Sequence, residues 1–311
     1  QYITTEYPPS ENVTPDINIT TIYTPDPDNV TSQVDITTTP VPSFDMAPPI
    51  QVDELGIVTG IVIQGRFASP INAYLRIPYA KPPIEELRFK DPEPAETLGE
   101  RGNPTIDMPK CVQYSEEEQD IVGEEDCLYL NVYVPAQSDT DSALKPVMVF
   151  IHGGTFDQGS GRLDQFDPRF LLTEDVIVVT MNFRLGIFGF FHLDDETVGT
   201  PGNAALKDQQ LALAWVREHI SHFGGDEENI SIFGQGAGAA SVHLHILSPR
   251  STGLFNKAII QSGTAISPWV MGTENNGDKL AKELELTTEN YEELLNTLRT
   301  KEAREIFTAA K

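Results

Sequence analysis

Short apolar runs, each bounded by turn-forming residues, organise the chain from about residue 52 onward. Residues 57–63, broken by Gly60, and residues 73–79 carry the side chains of strands, and Lys81-Pro82-Pro83 turns the chain after them. They predict a small antiparallel start. Leu128, Leu130, Val132 and Val134 then alternate along the chain, the pattern of a half-buried strand, and Pro135 ends it. Four more apolar runs follow, at 147–151, 176–180, 230–233 and 258–260. Between the second and third of these, Leu206, Leu213, Val216 and Ile220 share one helical face, and Gly224-Gly225 supplies the stop. A second helix follows Gly236 and ends before Pro249. This alternation predicts an α/β fold, a mostly parallel sheet with helices on both faces. After residue 273 the chain is acidic and helix-prone through Leu280, Leu284, Leu294, Leu295, Leu298 and Ile306.

Residues 1–50 depart from this pattern. They hold ten Thr, nine Pro and seven acidic residues, with no Lys or Arg and no periodic apolar spacing. Such a composition predicts a disordered tail. Sequons at Asn12, Asn18 and Asn29 crowd into it, a fourth lies at Asn229, and Thr37-Thr38-Thr39-Pro40-Val41-Pro42 suits O-glycans. Tyr2, Tyr7 and Tyr23, close to acidic residues, are candidates for sulfation. A secreted, glycosylated protein is expected. Gln1 is not an initiator and no charged-then-apolar leader follows it, so the numbering is expected to begin at a processed or trimmed terminus.

Charge narrows the partners. With 21 Lys and Arg against 47 Asp and Glu the chain carries −26, which argues against nucleic acid and anionic membrane surfaces. Solubility is the simplest reading of that excess. Calcium suits the acidic loop and tail by charge, although no EF-hand loop pattern is present. No apolar run approaches the roughly 20 residues of a membrane helix. Cys111 and Cys127 either close one modest loop, as an oxidising compartment allows, or are two unrelated buried thiols.

Five segments, in order between about residues 55 and 310, together resemble the cholinesterase and carboxylesterase type-B family. The first runs from Pro82-Pro83 through Leu87-Arg88-Phe89 to Pro92 and Pro94, and the second from Glu125-Asp126-Cys127 through Leu128-Tyr129-Leu130-Asn131. Next come Phe150-Ile151-His152-Gly153-Gly154 and Asn182-Phe183-Arg184-Leu185-Gly186, the latter with Phe188-Gly189-Phe190. The last spans Gly202-Asn203 to Phe223-Gly224-Gly225-Asp226. The resemblance implies that residues 51–311 form the N-terminal part of an alpha/beta-hydrolase domain, truncated. It also implies a Cys111–Cys127 disulfide at the rim of the active-site gorge, with ion pairs Arg88 to Glu125 and Arg184 to Asp208. The family's second disulfide has no match around Leu286 and Thr297. The loop 112–126 has seven acidic residues and no Trp, so the family's choline-binding tryptophan is missing.

In this family the nucleophile occupies a sharp strand-to-helix turn of form Gly-X-Ser-X-Gly. Here the turn reads Gly234-Gln235-Gly236-Ala237-Gly238. Glycine has no side chain with which to attack a carbonyl, so covalent catalysis has no starting atom. Gln235 also replaces the family's usual acidic residue. Ser231, Ser241 and Ser262 read as strand, helix and turn residues rather than substitutes. The resemblance implies a vestigial oxyanion hole from the amides of Gly154, Thr155 and Ala237, with Gly153 beside them, although Thr155 stands where Gly or Ala is usual. None of His152, His192, His219, His222, His243 and His245 matches the family's general base. His219 and His222 share a helical face and could bind metal, but a solvated helix end is the simpler reading and no metal ligand is assigned.

The expectation is therefore a protein that does not hydrolyse esters, similar to the silent adhesion branch of the family, glutactin-like or neuroligin-like. That branch implies cell adhesion or matrix binding through an extracellular protein partner, with a homodimer left open. A second reading is a degenerate esterase that binds small apolar ligands in an open pocket beneath Gly236. A third is an active carboxylic ester hydrolase with a different nucleophile.

Overall fold

A computed structural model describes residues 45–98, 105–136, 143–272 and 275–311. Asn12, Asn18, Asn29 and the tail as far as Phe44 lie outside the described residues.

Eight strands form one sheet. Its antiparallel start comprises β1 (Met46–Val52), β2 (Gly56–Gln64) and β3 (Pro70–Pro78), and a small hairpin of β4 (Gln113–Ser115) and β5 (Asp120–Val122) stands apart. The main sheet continues through β6 (Tyr129–Pro135), β7 (Lys145–Ile151), β8 (Ile177–Met181), β9 (Gly225–Gln235) and β10 (Lys257–Gln261). The order across it is β1-β2-β3-β6-β8-β7-β9-β10. Pairing is antiparallel as far as the β6 to β8 contact and parallel from β8 through β7 and β9 to β10. The mostly parallel arrangement after an antiparallel start is as the sequence predicts. β1 begins at Met46, inside the stretch that composition assigns to the tail. Pro48 and Pro49 disguise this strand, and it tolerates them because it lies at the sheet edge.

β6 corrects a second expectation. Its residues from Tyr129 to Tyr133 are all buried, so the strand is covered on both faces. The polar members of the alternation find partners inside: Asn131 accepts from the Arg76 amide at 2.8 Å and donates to Asp107 Oδ1 at 2.8 Å and to the Tyr133 hydroxyl at 3.0 Å. A satisfied polar side chain can be buried at small cost.

Helices α1 (Gly186–Phe190), α2 (Ala204–His219) and α3 (Ala237–Leu247) accompany the sheet, and α4 (Asn276–Glu283), α5 (Tyr291–Arg299) and α6 (Ala303–Ala309) close the chain. α2 turns Leu213 and Val216 into the core, whereas Leu206 is only half-buried. The terminal helices build a separate cluster in which Leu280, Leu294, Leu298 and Ile306 pack with Phe89, Phe188 and Phe191. Among the described residues no helix is long and apolar enough to cross a membrane.

Two ion pairs join these parts. Arg88 pairs with Glu125 and also donates to the carbonyls of Leu298, Arg299 and Lys301, at the end of α5 and just beyond it. Arg184 donates to Asp208 Oδ1 at 2.6 Å and Oδ2 at 2.8 Å, and reaches the Lys90 carbonyl at 2.7 Å. Asp208 is fully buried. Arg184→Ala would strand its carboxylate away from water, and we expect a stability loss of about 3–5 kcal/mol in urea denaturation. A variant as stable as the parent would show the pair to be dispensable.

Candidate functional site

The turn from β9 to α3 has the geometry of a nucleophile elbow. Gly236 takes φ 58 and ψ −116, a conformation that L side chains rarely adopt. Its amide donates to the Gln261 carbonyl at the end of β10 at 2.9 Å, and its carbonyl accepts from the Ala240 amide at 3.0 Å. A Cβ at position 236 would meet no atom within 4 Å, so the space above the elbow is open. Its neighbours have no such room. A Cβ on Gly234 would lie 2.5 Å from the Gly238 carbonyl carbon, and one on Gly238 only 2.0 Å from the Ile151 carbonyl oxygen.

The turn after β7 crosses directly over this elbow. A Cβ on Gly153 would come within 2.6 Å of the Gln235 carbonyl oxygen and 4.0 Å of the Ala237 amide, so only glycine lets the two turns touch. Gly154, Thr155 and Phe156 follow in left-handed conformation, at φ 103, 56 and 67. Two non-glycine residues held there store strain of the kind found at ligand-binding turns. The contact that the structure shows at the elbow is made by Gly153, against Gln235 and Ala237, with Gly154 and Thr155 next in the same turn.

Cys111 and Cys127 are bridged. Just beyond the bridge, Gln113 clamps Gly159: its side-chain amide donates to the Gly159 carbonyl at 2.9 Å, and its oxygen accepts from the Gly159 amide at 2.8 Å. The disulfide loop is therefore tied to Gly159, on the segment that follows the glycine turn. The sequence holds no signal for this contact beyond the cysteine itself.

Between these parts lies an open cavity of about 440 Å³, lined by Gln113, Glu116, Glu117, Phe150, His152 and Gln235 among others. Its wall is more polar than the apolar pocket expected beneath Gly236. His152 is buried, stacks on Phe183 with ring centroids 4.2 Å apart, and sits 2.8 Å from the Gly153 carbonyl through Nδ1. Burial pushes its pKa down to about 4, against the hydrogen bond to Gly153. A neutral imidazole that donates from Nδ1 leaves Nε2 as an acceptor. His152 Nε2 and the buried Ser160 hydroxyl, both in the cavity wall, find no protein partner among the described residues.

Among the other candidates, Ser262 is next to Gln261, whose carbonyl accepts from the Gly236 amide. Ser241 is buried in α3 and accepts from Gln209, and Ser231 lies within β9. Ser262 follows β10 in left-handed conformation at φ 57. His245 is buried between Ser251 and Gln209, and burial pushes its pKa down to about 4. The half-buried Asn229 accepts from Lys257 at 2.6 Å. The solvated helix end fails for His219, which is 7% exposed and, with His222, faces Asp53.

A strand, a left-handed glycine and a helix N-terminus, crossed by a glycine turn from the adjacent strand, define an α/β-hydrolase domain. The chain belongs to the carboxylesterase family, and the match to that family spans residues 47–311. It is 48% identical over 223 residues to juvenile hormone esterase of Tribolium castaneum, covering 71% of this chain and 37% of that protein. It is 41% identical over 269 residues to a carboxylic ester hydrolase of Bombus ignitus, covering 84% of this chain and 47% of that protein. The crystal structure of juvenile hormone esterase from Manduca sexta, with OTFP covalently attached, superposes with a TM-score of 0.76 at 33% identity. That alignment covers 84% of this chain and 50% of the other. The chain spans about half the length of the curated relatives it matches.

Proposed function

We propose that this carboxylesterase-family chain binds a small, uncharged carboxylic ester beside its elbow and does not hydrolyse it. The observation that carries the proposal is Gly236: the elbow keeps its backbone geometry and its open space, but the position has no nucleophilic atom. Ligand retention is supported by the glycine turn 153–155 pressed against the elbow and by the adjoining cavity. Gln158, Gln165 and Gln235 in the cavity wall favour a ligand that also carries a hydrogen-bonding group, such as a hydroxyl.

The adhesion role fits the acidic, Thr-rich composition but has no support from the relatives named above, which are esterases. Ligand binding is therefore the leading reading, and an extracellular setting accompanies it through the Cys111–Cys127 bridge. The test is equilibrium binding of an uncharged hydroxylated long-chain ester, followed by mass spectrometry of the recovered ligand. Saturable binding with the ester intact is expected. Cleaved ester would make the chain an enzyme, and no binding up to the solubility limit would return the adhesion reading to first place.

A further inference from the structure

We infer that Asp53, His219 and His222 form a site for a borderline transition-metal dication such as Zn2+. Asp53 follows β1 at the edge of the sheet, His219 is the last residue of α2, and His222 belongs to the tight turn at 220–223 that follows. The fold thus brings together a carboxylate and two imidazoles 166 and 169 residues away from it.

The geometry suits a shared ion. Asp53 Oδ2 lies 3.2 Å from His219 Nδ1 and 3.0 Å from His222 Nε2, and one ligand atom from each residue falls within 4.8 Å of the others. With Zn–N and Zn–O bonds of about 2.0–2.2 Å, neighbouring donors in a tetrahedral site are separated by roughly 3.3–3.5 Å. Asp53 Oδ2 is within a few tenths of an ångström of that spacing from each imidazole nitrogen. His219 is held in place by packing, since it is buried and Trp215 stands edge-on to it at 5.1 Å. Glu218 Oε2, 3.9 Å from the far nitrogen of His219, supplies a carboxylate behind that ligand, a common outer partner of metal-bound imidazole.

Donor chemistry selects the metal. Two imidazole nitrogens and one carboxylate oxygen suit Zn2+, Cu2+ or Ni2+ and do not suit Ca2+ or Mg2+, which take oxygen ligands. Asp53 and His222 are partly exposed, with side-chain exposures of 54% and 30%, which gives the ion a path in and leaves a fourth position facing solvent. An ion there would fasten the edge strand β1 to the end of α2, and so stabilise the folded chain in proportion to its occupancy.

The experiment uses the complete chain freed of metal by dialysis against chelator. Zn2+ titrated by calorimetry is expected to bind at one high-affinity equivalent and to raise the melting temperature by several degrees. The Co2+-loaded protein is expected to show visible d–d absorption. His222→Ala and Asp53→Asn, at partly exposed positions that leave the core intact, are each expected to weaken Zn2+ binding at least about tenfold and to remove the Co2+ band. A parent chain that takes up no stoichiometric Zn2+, or variants that bind it as tightly as the parent, would overturn the site.

Discussion

Incubated with a fluorophosphonate probe, the natural protein is expected to stay unlabelled, and its ester turnover to lie about a million-fold below that of a serine-bearing relative. The size of the effect follows from how a triad works. Its members act as one unit, so losing the serine alone costs about as much as losing all three groups, and what survives is roughly the 10³–10⁴-fold supplied by binding and oxyanion donors. Here those donors would come from the turn at 153–155 and the first amide of α3. Gly236→Ser is the companion variant. It restores an oxygen at the elbow, and labelling of the variant above the natural protein is expected to trace the loss of reactivity to position 236. Labelling of the natural chain above background would overturn the proposal that it does not hydrolyse esters. Mapping the adduct would then identify the nucleophile.

Much of this was legible in the sequence, and the parts that were not have definite physical causes. The strands around Val149 and Val179 declare themselves by unbroken apolar runs, because a strand covered on both faces needs them. β6 misleads the same reasoning: Asn131 and Tyr133 look like an exposed face, yet each finds a hydrogen-bond partner within the core. β1 is hidden by Pro48-Pro49, since propensity assumes a strand that must donate on both sides. The elbow was readable residue by residue because its chemistry is local in sequence. The cluster at Asp53 was not, since a histidine pair on a helix end reveals its third ligand only when the sheet edge folds against it. The clamp by Gln113 on Gly159 escaped for the same reason, being a contact across 46 residues.

Alanine at Gly238 is expected to cost more than about 4 kcal/mol or to prevent folding, whereas alanine at Gly236, two residues away, is expected to cost only about 1–3 kcal/mol. The contrast separates two uses of glycine in one turn. At 236 the difficulty is conformational: φ is 58, but a Cβ would meet nothing within 4 Å. At 238 the difficulty is steric, with a Cβ 2.0 Å from the Ile151 carbonyl oxygen and 2.7 Å from that of His152. Both obstacles are backbone atoms at the end of β7, which cannot turn aside as a flexible side chain can. Relief would require α3 to move off the sheet, breaking the close packing of Ala239, Ala240 and Val242, all fully buried. Denaturation midpoints of the two variants measure the difference directly. If Gly238→Ala proves as mild as Gly236→Ala, β7 and α3 are not in the close contact described, and the flanking glycines are free of steric demand. If the contrast holds, Gly234 and Gly238 are required by the fold whatever the chemistry, and position 236 alone is free to gain or lose a nucleophile at the cost of backbone strain.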